Sequence, residues 1–232
     1  MEPAGGSGKS AEEIAEAYKS EPWWYDVRGF FILTFAYNST LPHQLRFFGP
    51  NFGADHLELA IGSGTMLELV LRWRRWKKLP LVRIVGVDYA ESMLAGARHR
   101  FAGKPGLRFL LADAANMPLP SDHFDTVNCA NAVHCIPDVD GAFREIRRVL
   151  KPDGVLAANV LLYPSRGWPW RGIAERINHW GMRKGILYKP YEQEDVRQRL
   201  TQAGLVIVSE RVSGNCYDVV ARKPREPGSA AA

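Results

Sequence analysis

Two glycines and a downstream acid are the residues of this chain whose types and spacing point most directly to chemistry. The stretch HLELAIGSGTML, residues 56–67, has the pattern of a buried strand, a turn with little side-chain bulk and the start of a helix. Gly62 and Gly64 let the backbone approach a ligand closely, and the following helix directs free N–H groups at the same place. Asp88 ends a second apolar strand, where an acid suits the ribose hydroxyls of a nucleotide-type cofactor. The pattern predicts a site for a ribose-bearing ligand.

A nicotinamide cofactor is a weaker alternative for this turn. Leu67 stands where the third glycine of G-x-G-x-x-G would be. That glycine belongs to the fingerprint that receives a dinucleotide pyrophosphate. An oxidoreductase is therefore disfavoured.

Four motifs follow one another in an order that is typical of one enzyme family. E-x-A-x-G-x-G begins at Glu58, and three further segments follow it: GVDYAESMLAGAR (86–98), ADAANMPLPSDHFDTV (112–127) and FREIRRVLKPDGVL (143–156). Over about residues 50–222 the chain resembles the class I S-adenosylmethionine-dependent methyltransferases, and within them the ubiquinone/menaquinone C-methyltransferase-like group. Ala60 is a departure, because the family more often has glycine there.

The resemblance implies S-adenosylmethionine as cofactor and S-adenosylhomocysteine as product. Gly62 and Gly64 would cradle the methionine part, Asp88 would bind the ribose, and Asp113 with Ala114 would read the adenine. The predicted cofactor-binding residues are Glu58, Ala60, Gly62, Gly64, Thr65, Asp88, Tyr89, Met93, Asp113, Ala114 and Asn131. Asn131 is expected to contact the methionine part through its backbone or its amide.

A general base, if the reaction uses one, is expected to be His134, Tyr25 or His179, in falling order. His134 follows the fourth strand, where the methyl group should point toward the acceptor, and a histidine pKa near neutrality would suit a base. The family often carries a histidine at this place without such a role. No cluster of metal ligands is found in the sequence, so no metal is expected.

The expected fold class is α/β, a Rossmann-like doubly wound sheet of seven mostly parallel strands with an antiparallel last strand. N-terminal helices and a helical lid insertion complete it. The predicted strands after the first are 82–88, 107–113, 122–131, 154–162, 205–212 and 216–223, and the predicted helices include 10–19, 139–150 and 191–204. The predicted organisation is a disordered tail (1–9), an N-terminal helical cap (10–50), a methyltransferase domain (51–223) and a second disordered tail (224–232).

The segment 163–190 is expected to be the lid insertion within that domain. It carries Trp168, Trp170, Trp180 and Tyr188 among Lys and Arg residues. Its aromatic side chains suit a flat or hydrophobic acceptor. The alternative is a helix that merely packs on the sheet edge.

The charge, cysteine content and apolar runs of the chain limit the kinds of partner that are expected. The chain has 232 residues, a net charge of +5 and three cysteines without metal or redox spacing. This mild basicity gives no reason to expect nucleic acid, and the cysteine pattern fits a reducing cytoplasm. The longest apolar run, 29–37, is too short to cross a bilayer. RWRRWKK, 72–78, indicates either the solvated end of a helix or a patch for peripheral membrane contact.

The function predicted from these observations is methyl transfer to a carbon or oxygen of a small hydrophobic or aromatic acceptor, such as a quinone precursor or a secondary metabolite. One alternative is a lipid or another membrane-held acceptor. An alternative of another class is a non-catalytic regulatory module that binds the cofactor. The expected assembly is a monomer or a homodimer.

Overall fold

The computed structural model describes residues 39–164, 171–184 and 187–225. The helix predicted over 10–19 lies outside the described residues. Among those described, six α-helices are present: α1 Leu41–Phe48, α2 Thr65–Trp76, α3 Glu91–Arg100, α4 Val139–Val149, α5 Arg171–Lys184 and α6 Gln193–Gln202. Seven strands accompany them: β1 Asp55–Leu59, β2 Arg83–Asp88, β3 Leu107–Leu111, β4 Phe124–Cys129, β5 Leu150–Leu161, β6 Val206–Ser213 and β7 Cys216–Arg222.

The strands form one sheet in the order β3-β2-β1-β4-β5-β7-β6. Strands β1 to β5 pair in parallel, and β7 runs antiparallel between β5 and β6. The order reverses at β1, so the carboxyl ends of β1 and β4 flank a switch point where ligands bind in open α/β sheets. The predicted fold class is confirmed.

Strand β5 differs from its prediction at its start. The KPDG sequence predicts a turn before a strand at 154, but β5 begins at Leu150, which pairs with Phe124. Asp153 takes a φ of 63° within it, and the ladder shifts register between Phe124 and Thr126. The turn residues are thus accommodated as an irregularity at the start of the strand, because an aspartate tolerates this backbone conformation.

The sheet is covered on both faces, as alternating strands and helices require. On one face α1 and α2 pack against the sheet through Phe48, Val70 and Ala157. On the other, α4 and α6 contribute to the largest core cluster, which contains Phe143 and Leu200. This arrangement fixes α1 over the carboxyl ends of β4, β5 and the start of β7.

The basic run at the end of α2 divides into buried and exposed members. Arg74 is only 4% exposed, and its guanidinium donates to the backbone oxygens of Gly49 (2.7 Å) and Pro80 (3.0 Å). The guanidinium carbon lies 4.5 Å from the centre of the Phe52 ring. Trp76, in contrast, is 71% exposed. Arg74 therefore stabilises the interior of the domain, whereas Trp76 lies on the surface.

Replacing Arg74 with methionine is expected to lower the free energy of unfolding by about 2–4 kcal/mol, because two buried carbonyls lose their donors. Arg75→Met is the matched control, since Arg75 is exposed on the same turn. Urea unfolding of the two variants measures the difference. Equal, small losses of unfolding free energy in both variants would contradict this stabilising role of Arg74.

No helix in the described part of the chain is long and apolar enough to cross a membrane.

Candidate functional site

The turn between β1 and α2 has the geometry of a ligand cradle. Gly62 has a φ of 59°, and a Cβ built on it would meet no atom of the described residues within 4 Å. Gly64 has a φ of 78° and is the N-cap of α2. A Cβ on Gly64 would lie 2.6 Å from the ring of Phe101. One glycine therefore leaves space open above the turn, while the other is required by a close packing contact below it.

Asp88 ties the end of β2 to this turn. Its Oδ2 accepts from the Gly62 N–H at 2.7 Å, and its Oδ1 accepts from the Ala90 N–H at 2.9 Å. Burial raises the pKa of the Asp88 carboxyl, and the backbone N–H donors of Ala90, Gly62 and Tyr89 oppose that shift. Each oxygen retains a further lone pair, so the carboxylate can also accept a ligand hydroxyl.

Ala60 occupies a left-handed backbone conformation, with a φ of 53°. A residue with a Cβ pays about 1–2 kcal/mol there, which explains why glycine would suit the position. The chain nevertheless continues unbroken from β1 into the turn. Ile61 N–H still bonds to the oxygen of Val87 at 3.0 Å.

Glu58 is part of a buried polar network behind the turn. Its Oε1 lies 3.0 Å from Nε2 of His56 and accepts from the Asn128 amide at 3.1 Å. His56 is fully buried, and its Nδ1 lies 2.7 Å from the Thr126 hydroxyl. Burial lowers the pKa of His56, with Glu58 opposing. The network holds the carboxylate at the carboxyl end of β1, close to the glycine turn.

The other predicted cofactor residues lie at the same edge of the sheet. Asp113 follows β3 and accepts from the Ala115 N–H at 2.9 Å, and Ala114 is half-buried beside it. Tyr89 is 38% exposed directly after Asp88, whereas Met93 is only 2% exposed inside α3. Thr65 opens α2, with its hydroxyl 3.0 Å from that of Ser63. The structure brings these residues around one edge.

Asn131 has a φ of 57° just beyond β4. Its side chain exchanges two hydrogen bonds with Gln44 of α1, at 3.2 and 3.0 Å. Asn159 of β5 donates to the Asn131 side chain at 2.8 Å and accepts from its backbone N–H at 2.5 Å. The amide of Asn131 therefore already ties three elements together, which favours the backbone for any contact to a cofactor.

His134 departs from the chemistry predicted for it. The side chain is 5% exposed, in the 3-10 turn Val133–Cys135, and its Nδ1 lies 3.4 Å from the Leu161 N–H. Burial lowers the pKa of His134 to about 3. The predicted pKa near neutrality is wrong, because the local sequence does not reveal how completely the imidazole is desolvated.

We expect the imidazole of His134 to remain neutral from pH 8 down to pH 5. Because its pKa is lowered in the folded state, the associated stability is lost as pH falls below the value of about 6.5 expected in the unfolded chain. Ring chemical shifts followed by NMR across this range test the expectation. A titration midpoint near 6.5 for His134 would contradict it.

Of the two remaining base candidates, His179 is the one within the described residues. His179 lies on the exposed side of α5, and its Nδ1 is 2.7 Å from the backbone oxygen of Glu175. Tyr25 lies outside the described residues, as do Trp168 and Trp170 of the predicted lid. Helix α5 itself packs through Ile177 and Met182 against the end of β5.

One pair at this edge was missed by the sequence analysis. His43 Nε2 of α1 lies 2.6 Å from Oδ2 of Asp218 in β7. The residues are separated by 175 positions. No local motif indicates such a contact, and the pairing of Asn159 with Asp218 in the β5–β7 ladder is what brings Asp218 to the site.

The arrangement fits a nucleoside that carries a compact tail. The open space above Gly62 would receive a chain passing close to backbone, and the carboxylate of Asp88 would accept ribose hydroxyls. Asp113 and the half-exposed Tyr89 would flank the base. In the described ranges, no group of three His, Cys, Asp or Glu side chains is placed to hold a metal ion.

Comparison with known proteins finds similarity to methyltransferases. The family described as "Methyltransferase domain" matches residues 57–158. An uncharacterized chloroplastic methyltransferase of Arabidopsis thaliana is 28% identical over 149 residues, which are 61% of this chain and 40% of that protein. The demethylmenaquinone methyltransferase of Thermus thermophilus is 38% identical over 113 residues, 48% of this chain and 49% of that protein. The chain thus spans less than half of either relative.

Among solved structures, a SAM-dependent methyltransferase of Thermotoga maritima, described as a possible histamine N-methyltransferase, superposes with a TM-score of 0.65. It is 16% identical, and the match covers 90% of this chain and 99% of that one. At this identity the likeness establishes the fold.

Proposed function

We propose that the chain is a class I S-adenosylmethionine-dependent methyltransferase that methylates a carbon or oxygen of a small hydrophobic or aromatic acceptor of the quinol type. The observation that carries the proposal is the Asp88 carboxylate bonded to the Gly62 N–H beneath an open turn. The similarity to a demethylmenaquinone methyltransferase over nearly half of the chain supports the acceptor class.

In this proposal the protein acts mainly by position. S-adenosylmethionine supplies an electrophilic methyl group when bound. Asp88 holds the ribose, Gly62 and Gly64 admit the methionine part to the backbone, and Asp113 receives the adenine amine. Alignment of two reactants in a site that excludes water can lower the barrier by roughly 7–11 kcal/mol.

The acceptor side is proposed to lie over the carboxyl ends of β4 and β5. Asn131 and Asn159 mark that edge, and α5 closes it by packing on Leu161, Leu187 and Cys216. We further propose that the protein acts in a reducing cytoplasm and without nucleic acid. Its three cysteines are all free thiols, and two of them are buried.

Radiolabelled methyl transfer tests the proposal. The probe acceptors are a prenylated 1,4-naphthoquinol kept reduced with dithionite, a simple phenol and histamine. We expect label to enter the quinol or the phenol and not histamine. Binding of S-adenosylhomocysteine without transfer to any acceptor would favour the non-catalytic regulatory alternative instead.

A membrane-held acceptor is the second candidate, and one surface favours it. Trp76 is 71% and Leu81 96% exposed, and Lys77 Nζ lies 4.4 Å above the Trp76 ring. Helix α2 has 12 residues, so its end lies about 18 Å from the turn, at the opposite edge of the sheet. Membrane contact there would leave the acceptor edge facing away from the lipid, which is why the free small acceptor is preferred.

Pelleting with vesicles that contain anionic lipid separates the two candidates. Binding that salt weakens and that Trp76→Ala abolishes would favour the membrane-held acceptor. Absence of pelleting at low salt would favour the free small-molecule acceptor.

A further inference from the structure

The carboxyl edge of the sheet holds a histidine–carboxylate pair, His43 and Asp218, that is not among the residues proposed to bind the cofactor. His43 Nε2 and Asp218 Oδ2 are 2.6 Å apart, and their side chains are 27% and 3% exposed respectively. The second oxygen of Asp218 lies 3.5 Å from the Cys216 thiol, which donates to it. A buried acid thus orients an imidazole that still reaches the surface of the site.

The other histidines are unsuited to accept a proton from a bound molecule. All six lie in the described residues: His43, His56, His99, His123, His134 and His179. His56 and His134 are buried, at 0% and 5% exposure. The remaining three are on the exposed surface, with no hydrogen bond to a carboxylate among the described contacts. His43 alone combines a carboxylate partner with partial exposure.

Neighbouring residues connect the pair to the end of β4, where the methyl group is expected to be delivered. Asp218 is opposite Asn159 in the β5–β7 ladder, and Asn159 bonds twice to Asn131 at the end of β4. Gln44, the residue after His43, exchanges two hydrogen bonds with the same Asn131. Helix α1 therefore presents His43 at the same edge as the glycine turn and Asp88.

The hydrogen bond between His43 and Asp218 also determines which ring nitrogen of a neutral His43 carries the proton. An ionised carboxylate only accepts hydrogen bonds, so a neutral His43 places its proton on Nε2 and leaves the Nδ1 lone pair to accept another. The buried carboxylate then stabilises the imidazolium that forms, as the aspartate of a Ser-His-Asp triad does for its histidine.

We propose that His43, oriented by Asp218, is the general base that takes the proton from the acceptor hydroxyl; this rests on the function proposed above. The O–H bond breaks and its proton passes to Nδ1. The adjoining ring carbon then bonds to the methyl group as the methyl–sulfur bond breaks, leaving neutral S-adenosylhomocysteine. That carbon loses its hydrogen as a proton and the oxygen regains one, so the methylated quinol forms with a net release of one proton.

A first test needs no acceptor. In protein labelled with ¹⁵N in its histidine rings, we expect the neutral form of His43 to carry its proton on Nε2. Asp218→Asn should disturb that preference, whereas the preference should survive in Asp55→Asn, which alters the opposite edge of the sheet. A wild-type ring with its proton on Nδ1 would overturn the proposal.

The second test measures methyl transfer to the prenylated naphthoquinol at saturating S-adenosylmethionine. We expect His43→Ala to reduce the rate by about 10²- to 10⁴-fold, with unchanged affinity for S-adenosylhomocysteine. Added imidazole should restore part of that rate, which a purely structural role would not permit. Asp218→Asn should also lose rate but should not respond to imidazole, because its histidine is still present.

His99→Gln is the matched control, since His99 lies on the exposed last turn of α3, and it should retain the wild-type rate. Equal rates for His43→Ala and wild type would reject the base while leaving the methyltransferase function intact. If instead the wild type binds S-adenosylhomocysteine but methylates no quinol or phenol, the proposed function fails and the base fails with it. If His43→Ala does not fold, His43→Gln replaces it, and an undiminished rate in that variant likewise rejects the base.

Discussion

Replacing Asp88 with alanine is expected to weaken the binding of S-adenosylhomocysteine by about tenfold to a hundredfold. Hydrogen bonds to a charged group are worth about 1.5–3 kcal/mol each, and the carboxylate is expected to accept from the ribose. The substitution also removes the oxygen that accepts from the Gly62 N–H at 2.7 Å, so the turn loses a stabilising hydrogen bond. Calorimetric titration of the two proteins measures the ratio.

The control for this substitution is Asp55→Ala. Asp55 begins β1 and pairs with Arg83 at the opposite edge of the sheet, so its loss should leave the affinity unchanged. Thermal melting of both variants shows whether a folded protein is being titrated. Equal affinities of Asp88→Ala and wild type for S-adenosylhomocysteine would show that Asp88 does not contact the ligand.

Affinity should also depend on pH in a direction that Asp88 sets. Burial raises the pKa of this carboxyl, and a protonated acid is a poorer acceptor for ribose hydroxyls. Affinity should therefore be full above that pKa and fall as the pH is lowered through it. In Asp88→Asn this acid dependence should disappear; its persistence would assign the titration to another group.

Gly62→Ala is expected to weaken cofactor binding by more than tenfold while leaving the protein folded. Its φ of 59° makes a Cβ unfavourable, at about 1–2 kcal/mol, yet the added carbon meets no atom within 4 Å in the part of the chain that the structure describes. The loss of binding would then come from the ligand, whose methionine part is proposed to pass through that space.

Gly103→Ala provides the matched control. Gly103 has a φ of 74° and likewise meets no described atom within 4 Å, but it belongs to the loop after α3 and not to the turn between β1 and α2. Both variants should lose similar stability in urea unfolding, and only Gly62→Ala should lose affinity by more than tenfold in calorimetry. Equal affinities in the two variants would mean that the space above Gly62 is not part of the ligand site.

Much of the fold could be predicted from local patterns. The strand predicted over 82–88 is Arg83–Asp88, and the helix predicted over 139–150 is Val139–Val149. These segments were predictable because apolar periodicity and glycine turns are short-range signals. The start of β5 was not, since its pairing with Phe124 depends on a neighbouring strand rather than on KPDG itself.

The site was predictable to the extent that it lies in one continuous stretch. Asp88 and Gly62 are 26 positions apart, with a spacing that the family motif carries. The pair of His43 and Asp218 arises from the way in which α1 crosses β7, and no spacing in the chain reports it. Burial of His134 similarly depends on Leu161 and on residues around Tyr188, whose backbone N–H bonds to the His134 oxygen at 2.9 Å.

Ala60 and Asn131 illustrate a third kind of information that sequence patterns lack. Both adopt left-handed backbone conformations at the carboxyl ends of adjacent strands. An asparagine is enriched in that region and an alanine is not. The family resemblance marked Ala60 as unusual, but only the backbone angle explains why glycine would be preferred.

The most direct test of the account is calorimetric titration of the wild-type chain with S-adenosylhomocysteine, beside an identical titration with NADH. We expect one S-adenosylhomocysteine to bind per chain and NADH not to bind. A folded protein that binds NADH, or that gives no heat with S-adenosylhomocysteine, would contradict it, and the turn at Gly62 would then have to serve another nucleotide or the fold alone.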